Sequence, residues 1–185
     1  MSPRHADRLD KLPPYMFAQL EQAIAEKRDA GIDVISLGIG DPDMPTPEPI
    51  IESMRAAVGR ADTHQYPSNR GRQVLRDAIA EFYEQRFDVQ LDPATQVLPV
   101  LGGKEGIFHI CQVLLNPGDI SLATDPGYPV YTSGPLLCDA EPYMMPILPE
   151  NDFKPDFAAI PADVLKRARV MFLNYPNNPT GAVIE

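Results

Sequence analysis

The chain has 185 residues, of which 44% are hydrophobic and 23% are charged, a composition typical of a globular protein with a buried core. Its 26 acidic and 16 basic residues give a net charge of −10, which disfavours binding to nucleic acid and to anionic membranes. Cys111 and Cys138 have no metal-ligand or CxxC spacing, so we expect neither a disulfide framework nor a metal site. The sequence has no signal-peptide stretch and no membrane-length apolar run, so we expect a cytoplasmic protein.

Hydrophobic periodicity predicts three helices in the first half of the chain, over residues 16–28, 47–60 and 72–87. An apolar stripe marks the third helix at Leu75, Ile79, Phe82 and Arg86. The loop SLGIGDPDMPTPEP, rich in glycine, proline and aspartate, separates the first two helices.

After Pro93 the sequence alternates between predicted strands and helices. The predicted strands cover residues 96–101, 120–124, 141–148 and 169–173, and the helices between them cover 103–115, a segment ending near 137, and 161–167. We expect the inward positions of the helix over 103–115 to be Ile107, Ile110, Cys111 and Leu114. Alternation of this kind implies parallel crossovers, and therefore an α/β fold whose sheet is covered on both faces.

The first loop to consider is Gly102-Gly103-Lys104-Glu105, which joins a predicted strand to a helix. Ligands of parallel sheets bind beyond the carboxyl ends of the strands. Two glycines let the backbone approach a ligand, and free N–H groups at a helix start attract anions such as phosphate. The alternative is a tight turn with a solvated lysine. A nucleotide P-loop is excluded because Glu105 follows Lys104 and position 98 is not glycine.

Two further loops leave strand ends at the same predicted edge. In DPGYPVY, Tyr128 either presents its face to a planar ligand or packs on the next helix with Tyr131. In NNPTG, an asparagine amide either donates to a ligand oxygen or only shapes the turn, and the Asn178–Pro179 bond is a candidate for cis geometry. An anion-binding turn, an aromatic face and an amide donor together suit a planar, phosphorylated cofactor.

At this point six motifs, in this order and spacing, carry a family resemblance: SLGIGDPDMPTP, HQYPSNRG, LGGKEGI, NPGD, DPGYPVY and NYPNNPTG. The chain resembles the N-terminal half of class I/II, fold-type I, pyridoxal 5′-phosphate-dependent aminotransferases. Its opening segments ADRLDKLPPYMFAQLE and ISLGIGDPD look most like the LL-diaminopimelate branch of that family. The resemblance implies the three-layer, mostly parallel large domain of the aspartate aminotransferase-like fold. It also implies an N-terminal arm over residues 1–32 and the first part of the large domain over 33–185.

The resemblance also implies a role for each matching residue on the cofactor side. Gly103 and Lys104 would bind the cofactor phosphate, Tyr128 would lie against the pyridine ring, and Asn178 would hydrogen-bond the phenolic oxygen of that ring. Tyr66 would reach the phosphate of the neighbouring subunit's cofactor, which implies a homodimer.

On the substrate side, the resemblance implies that the Gly40 backbone contacts the substrate carboxylate and that Tyr15 contacts the substrate. By contrast, we expect structural roles for Ser36, Arg70, His64 and His109. The implied chemistry is ping-pong transamination between amino acids and 2-oxo acids, with pyridoxal 5′-phosphate as electron sink and a lysine as proton carrier. None of the five lysines lies in the family's Schiff-base motif. We therefore expect that lysine beyond residue 185, and we expect this chain alone to be inactive.

Several functional interpretations follow from these residues. The first is an amino-acid biosynthetic aminotransferase that makes LL-diaminopimelate from glutamate's amino group, as in lysine biosynthesis. An alanine- or aspartate-type aminotransferase is the alternative within the enzyme class. A non-catalytic aminotransferase-like binding module, or a truncated product that folds poorly, are the alternatives outside it.

Overall fold

The computed structural model describes residues 4–38, 40 and 42–184, which divide into two compact units. The first unit contains residues 4–14 and 100–184, and the second contains residues 15–99. No helix in these residues is long and apolar enough to cross a membrane. The separate division into an arm over 1–32 and a large domain over 33–185 stays a prediction.

The second unit is helical. Its elements are α1 (Met16–Asp29), α2 (Glu48–Val58), a short 3-10 helix (Ala61–Thr63) and α3 (Gln73–Phe87). The three predicted helices are therefore confirmed, and their ends lie within two residues of the predicted ones. The predicted stripe of α3 is wrong in part, because Leu75 and Phe82 are 48% and 56% exposed. Arg76 is the buried residue of this helix, and it donates to the Pro93 carbonyl at 3.1 Å.

The first unit contains the sheet. Its helices are α4 (Gly103–Leu114), α5 (Val130–Leu137) and α6 (Ala162–Arg167), with 3-10 turns at Asp7–Lys11, Pro149–Asn151 and Phe157–Ala159. Its strands are β1 (Ile120–Asp125), β2 (Glu141–Pro146) and β3 (Ala168–Phe172). The strands lie in the order β2-β1-β3, and β1 pairs in parallel with both neighbours. The predicted α/β class with a parallel sheet is confirmed.

Hydrophobic clusters cover both faces of the sheet. On one face, Leu122 and Met145 pack with Ile160 and with Val164 of α6. On the other face, Ala123 packs with the start of α5. Cys111 and Leu115 form a further cluster, against which side chains of β3 pack. Alternate residues of β1 thus point to opposite layers, as expected for a strand buried on both sides.

A register shift in the β1–β3 pair decides which face β3 presents. Ile120 is opposite Ala168, whereas Ser121 is opposite Val170, so one residue of β3 is left over. An extra residue of this kind reverses the side-chain alternation. Accordingly, Ala168 packs with the Ile160 cluster, while Val170 and Phe172 pack on the α4 and α5 side.

The strand predicted over residues 96–101 is wrong. Within the described residues this segment pairs with no strand, and the chain bends at Gln96 and again at Leu101. A β-strand is defined by hydrogen bonds to a neighbour, and the apolar pattern of a single segment carries no information about that neighbour. Leu98 and Leu101 are accordingly 68% and 99% exposed.

The inward face predicted for α4 is also wrong in part. Cys111 is fully buried and Ile107 is half-buried, but Ile110 and Leu114 are 45% and 47% exposed. The buried residue after the helix is Leu115. Because α4 packs mainly on α5, its neighbours cover a narrower stripe of α4 than the apolar pattern predicts.

Close packing of α4 on α5 depends on the absence of a side chain at Gly134. A Cβ atom added there would lie 2.9 Å from the Cys111 Sγ atom. Burial raises the pKa of the Cys111 thiol to about 11, with a smaller contribution from Cys138, so this thiol stays protonated and unreactive at neutral pH.

We expect the effect of Gly134→Ala on stability to reverse with the residue at position 111. With Cys111 present, the new methyl group overpacks the α4–α5 contact and lowers the free energy of unfolding by about 1 kcal/mol. In a Cys111→Ala background the space beside position 134 is open. There the better helix propensity of alanine over glycine raises the free energy of unfolding by about 0.5 kcal/mol. Urea unfolding of the four variants measures this coupling. Equal effects in both backgrounds would contradict it.

Candidate functional site

The start of α4 offers unpartnered backbone donors. The N-cap residue Gly102 has no side chain to cap the helix and adopts φ 135°, a conformation that favours glycine. Among the described residues, no acceptor bonds the N–H groups of residues 102–105. An added Cβ at Gly103 would meet no atom within 4 Å, so open space lies beside these donors. Such a helix start is suited to an anion.

Lys104 and Tyr128 come together at this helix start. The Lys104 Nζ atom lies 5.5 Å from the centre of the Tyr128 ring, within the range of a cation–π contact. Tyr128 also makes an edge-on contact with Tyr131 at 5.8 Å, and Tyr131 stacks on Phe172 at 5.0 Å. The ring at the end of β1 is therefore supported by an aromatic chain that reaches β3.

The turn that carries Tyr128 requires glycine at position 127. A Cβ atom there would clash with the Thr124 carbonyl oxygen, a backbone atom that cannot move without displacing the end of β1. The close approach of Gly127 to the Thr124 carbonyl turns the chain at the carboxyl end of β1. The Asp125–Pro126 peptide bond in the same turn is cis.

The loop after β3 is tied to the loop after β1 by Asn177, which the sequence analysis did not single out. Asn177 is 3% exposed, and its Nδ2 atom donates to the Pro126 carbonyl at 3.4 Å and to the Thr180 hydroxyl at 3.0 Å. Asn178, the predicted ligand, is exposed, and its bond to Pro179 is cis, as the sequence suggested. The pair of asparagines is the signal for Asn177 in the sequence, which does not say which amide of the pair is buried.

The other predicted site residues, Tyr15, Gly40 and Tyr66, belong to the second unit. Tyr15 is the N-cap residue of α1, and its ring lies 5.6 Å from that of Phe17. Gly40 is exposed, and an added Cβ would meet no atom within 4 Å. Tyr66 is 94% exposed.

Ion pairs hold the ends of the loop that contains Tyr66. The Asp62 carboxylate accepts two hydrogen bonds from Arg60, at 3.0 and 2.8 Å, and one from Arg72 at 3.1 Å. These hydrogen bonds, from Arg60 first and then from Arg72, hold the pKa of Asp62 well below its usual range. The carboxylate therefore stays ionised throughout the neutral range and links residues on both sides of Tyr66.

The fold is an α/β fold with a parallel sheet. Beside one edge of this sheet lie an open helix start, the Lys104 ammonium and the Tyr128 ring, which together suit a phosphorylated cofactor. Comparison with known proteins identifies the family. The family model for aminotransferase class I and II matches residues 32–185. The chain belongs to this family, whose cofactor is pyridoxal 5′-phosphate.

The relatives of the chain include several curated aminotransferases. It is 50% identical over 182 residues to an LL-diaminopimelate aminotransferase of Moorella thermoacetica, covering 98% of this chain and 47% of that protein. It is 52% identical over 183 residues to one of Desulforudis audaxviator, covering 99% and 47%. The chain thus spans about half the length of the curated relatives it matches.

Comparison with solved structures identifies the same fold. Substrate-bound BacF from Bacillus subtilis superposes with a TM-score of 0.92 at 43% identity, covering 99% of this chain and 47% of that one. A single mutant of Thermus thermophilus aspartate aminotransferase superposes with a TM-score of 0.88 at 29% identity, covering 98% and 47%. The predicted aspartate aminotransferase-like fold is confirmed.

The residues of the first unit fit the cofactor of this family. A phosphate needs several donors and open space, and the start of α4 has both. A planar ring needs an apolar face, and the half-buried Tyr128 lies beside the same helix start, 5.5 Å from the Lys104 ammonium. These observations agree with the roles predicted for Gly103, Lys104 and Tyr128, which stay predictions.

We expect Gly127→Ala to disturb this site by moving Tyr128. The clash with the Thr124 carbonyl forces the turn to open, which costs about 1–3 kcal/mol of stability. Thermal unfolding measures the loss, and the tyrosine fluorescence of the folded variant reports the displaced ring. Gly59→Ala is the matched control, since its Cβ would lie 3.6 Å from the nearest atom, an ordinary contact. Equal stability of the two variants would refute the requirement for glycine.

Proposed function

We propose that the chain provides the phosphate-binding part of a pyridoxal 5′-phosphate-dependent aminotransferase that works by ping-pong transamination. Membership of the aminotransferase family supports the reaction class. The observation that carries the proposal for this chain is the Lys104 ammonium beside the Tyr128 ring at an open helix start. Cation, donors and ring belong to one compact unit.

The proposed roles follow from the chemistry of each group. The free N–H groups at the start of α4 and the Lys104 ammonium bind the phosphate and fix the position of the cofactor. The Tyr128 ring lies against the pyridine ring, and the Asn178 amide donates to the phenolic oxygen. When bound, pyridoxal 5′-phosphate supplies an electron sink for negative charge at the substrate's α-carbon. No lysine of this chain is assigned the proton transfer, so binding and orientation are the steps proposed for its residues.

The proposed substrates are LL-diaminopimelate and 2-oxoglutarate, in lysine biosynthesis. Curated relatives at 50% and 52% identity with that name support this choice over an alanine- or aspartate-type enzyme. Tyr15 and Gly40 are the proposed substrate contacts. We further propose a cytoplasmic homodimer in which the exposed Tyr66 reaches the phosphate of the neighbouring subunit's cofactor.

We expect Lys104→Gln, made in the natural protein that contains this chain, to weaken pyridoxal 5′-phosphate binding about tenfold or more. The substitution removes a charged donor to the phosphate, and such bonds are typically worth at least a factor of ten in affinity. Absorbance titration of the apo-protein gives the Kd. Binding of pyridoxal, which lacks the phosphate, should not change.

The matched control for this experiment is Lys166→Gln, the same substitution at an exposed position of α6. Loss of affinity in both variants would indicate a general charge effect. An unchanged Kd for Lys104→Gln would remove Lys104 from the phosphate site.

The substrate proposal is tested by assaying the natural protein with 2-oxoglutarate and each of LL-diaminopimelate, alanine and aspartate. We expect kcat/KM to be at least tenfold higher for LL-diaminopimelate, because the substrate side should resemble that of the relatives at 50% identity. Turnover of alanine or aspartate without diaminopimelate would reject the branch assignment but keep the aminotransferase. Stoichiometric cofactor binding without any turnover would indicate a binding module.

A further inference from the structure

The Glu105 side chain turns back on the chain that precedes α4. Glu105 is the third residue of this helix, and its Oε2 atom accepts a hydrogen bond from the Leu101 N–H at 2.5 Å. In an ordinary capping box, a glutamate at this position bonds the N–H of the N-cap residue, which here is Gly102. The bond to Leu101 lies one residue earlier and closes a ring around Gly102, Gly103 and Lys104.

This displaced bond decides which donors remain open. Had Glu105 accepted from Gly102, a carboxylate oxygen would occupy one of the donors at the helix start. Instead, the N–H groups of residues 102–105 have no acceptor in the described parts of the chain. The ring also fixes Gly102, whose φ of 135° is one of many conformations open to a free glycine. The Glu105 hydrogen bond therefore holds the turn without using the N–H groups of residues 102–105.

A carboxylate close to a phosphate site would repel the phosphate unless its charge were compensated. The other oxygen of Glu105, Oε1, lies 3.4 Å from His109 Nε2, and His109 Nδ1 lies 3.0 Å from the Gln112 amide oxygen. Both carboxylate oxygens thus have a partner within the same unit. The neighbouring Lys104 adds a positive charge on the same turn.

From these contacts we infer that Glu105 is a positioning residue for the phosphate-binding turn. It does not touch the phosphate. It holds residues 101–104 through the Leu101 N–H, so that the N–H groups at the start of α4 stay open for the anion. This inference rests on the proposed function, because it presupposes that the turn binds the phosphate of pyridoxal 5′-phosphate.

Two properties of Glu105, its hydrogen-bond acceptance and its charge, can be tested separately by substitution. Glu105→Gln keeps an acceptor oxygen at the same reach and removes the charge, so affinity for pyridoxal 5′-phosphate should stay equal to wild type or rise. Glu105→Met has the same length and good helix propensity but no comparable acceptor, so affinity should fall about tenfold. Pyridoxal should bind all three proteins equally, since it has no phosphate to place.

The experiment titrates the natural apo-protein and these variants with pyridoxal 5′-phosphate and with pyridoxal, with Glu81→Met on α3 as the matched control. Glu81 also bonds a residue of its own helix, Gln85, but lies in the other compact unit. Hydrogen exchange of the segment containing Leu101, measured without cofactor, is an independent readout. It should be faster in Glu105→Met and unchanged in Glu105→Gln and in the control.

The outcomes distinguish the inference from the proposed function. If wild type binds pyridoxal 5′-phosphate no better than pyridoxal, the phosphate site itself is wrong and the inference falls with it. If wild type prefers the phosphate form but Glu105→Met matches it in affinity and exchange, the inference alone is overturned. Equal losses in Glu105→Met and Glu105→Gln would also overturn it, because charge rather than acceptance would then matter. Should Glu105→Met fail to fold, Glu105→Ala replaces it with the same expectations.

Discussion

The parallel pairing of β1 with both neighbours is the constraint on which the candidate site depends. β1 is buried on both faces, and it can satisfy its backbone groups only through β2 and β3. Because the three strands run the same way, the loops after β1 and β3 leave from one edge. Asn177 then joins these loops through the Pro126 carbonyl, so the position of each loop depends on the other. The aromatic contact from Tyr131 to Phe172 joins β3 to the same turn on the α4 and α5 side.

The helix start beside this edge has no side-chain cap. A capping oxygen from serine or aspartate stabilises an ordinary helix start, but at position 102 the φ of 135° would strain any residue with a side chain. Such a side chain would also bond the N–H groups that an anion needs. Glycine at this position, together with a glutamate that bonds outside the open turn, leaves the donors free at some cost in helix stability. A local weakness next to an ammonium and an aromatic ring is typical of a functional site.

Sequence reasoning succeeded where the determining interaction is local. The bounds of α3 follow from periodicity, although Leu75 and Phe82 of its predicted stripe are exposed. It failed for residues 96–101, because whether an extended segment becomes a strand depends on a partner. It placed Tyr128 and Lys104 in separate loops at one sheet edge, but not in contact. Asn177 was missed because nothing local distinguishes it from Asn178 before the β1 loop is in place.

The compact units of the chain divide the proposed function into two parts. Residues proposed to hold the cofactor phosphate and ring belong to the unit with the sheet, where strand pairing and buried clusters fix the backbone. Tyr15 and Gly40, proposed to contact substrate, belong to the helical unit, at a helix start and in a glycine- and proline-rich loop. Neither residue belongs to the hydrophobic clusters that pack on the sheet. A substitution at Tyr15 or Gly40 is therefore expected to alter substrate preference while the proposed cofactor residues keep their backbone positions.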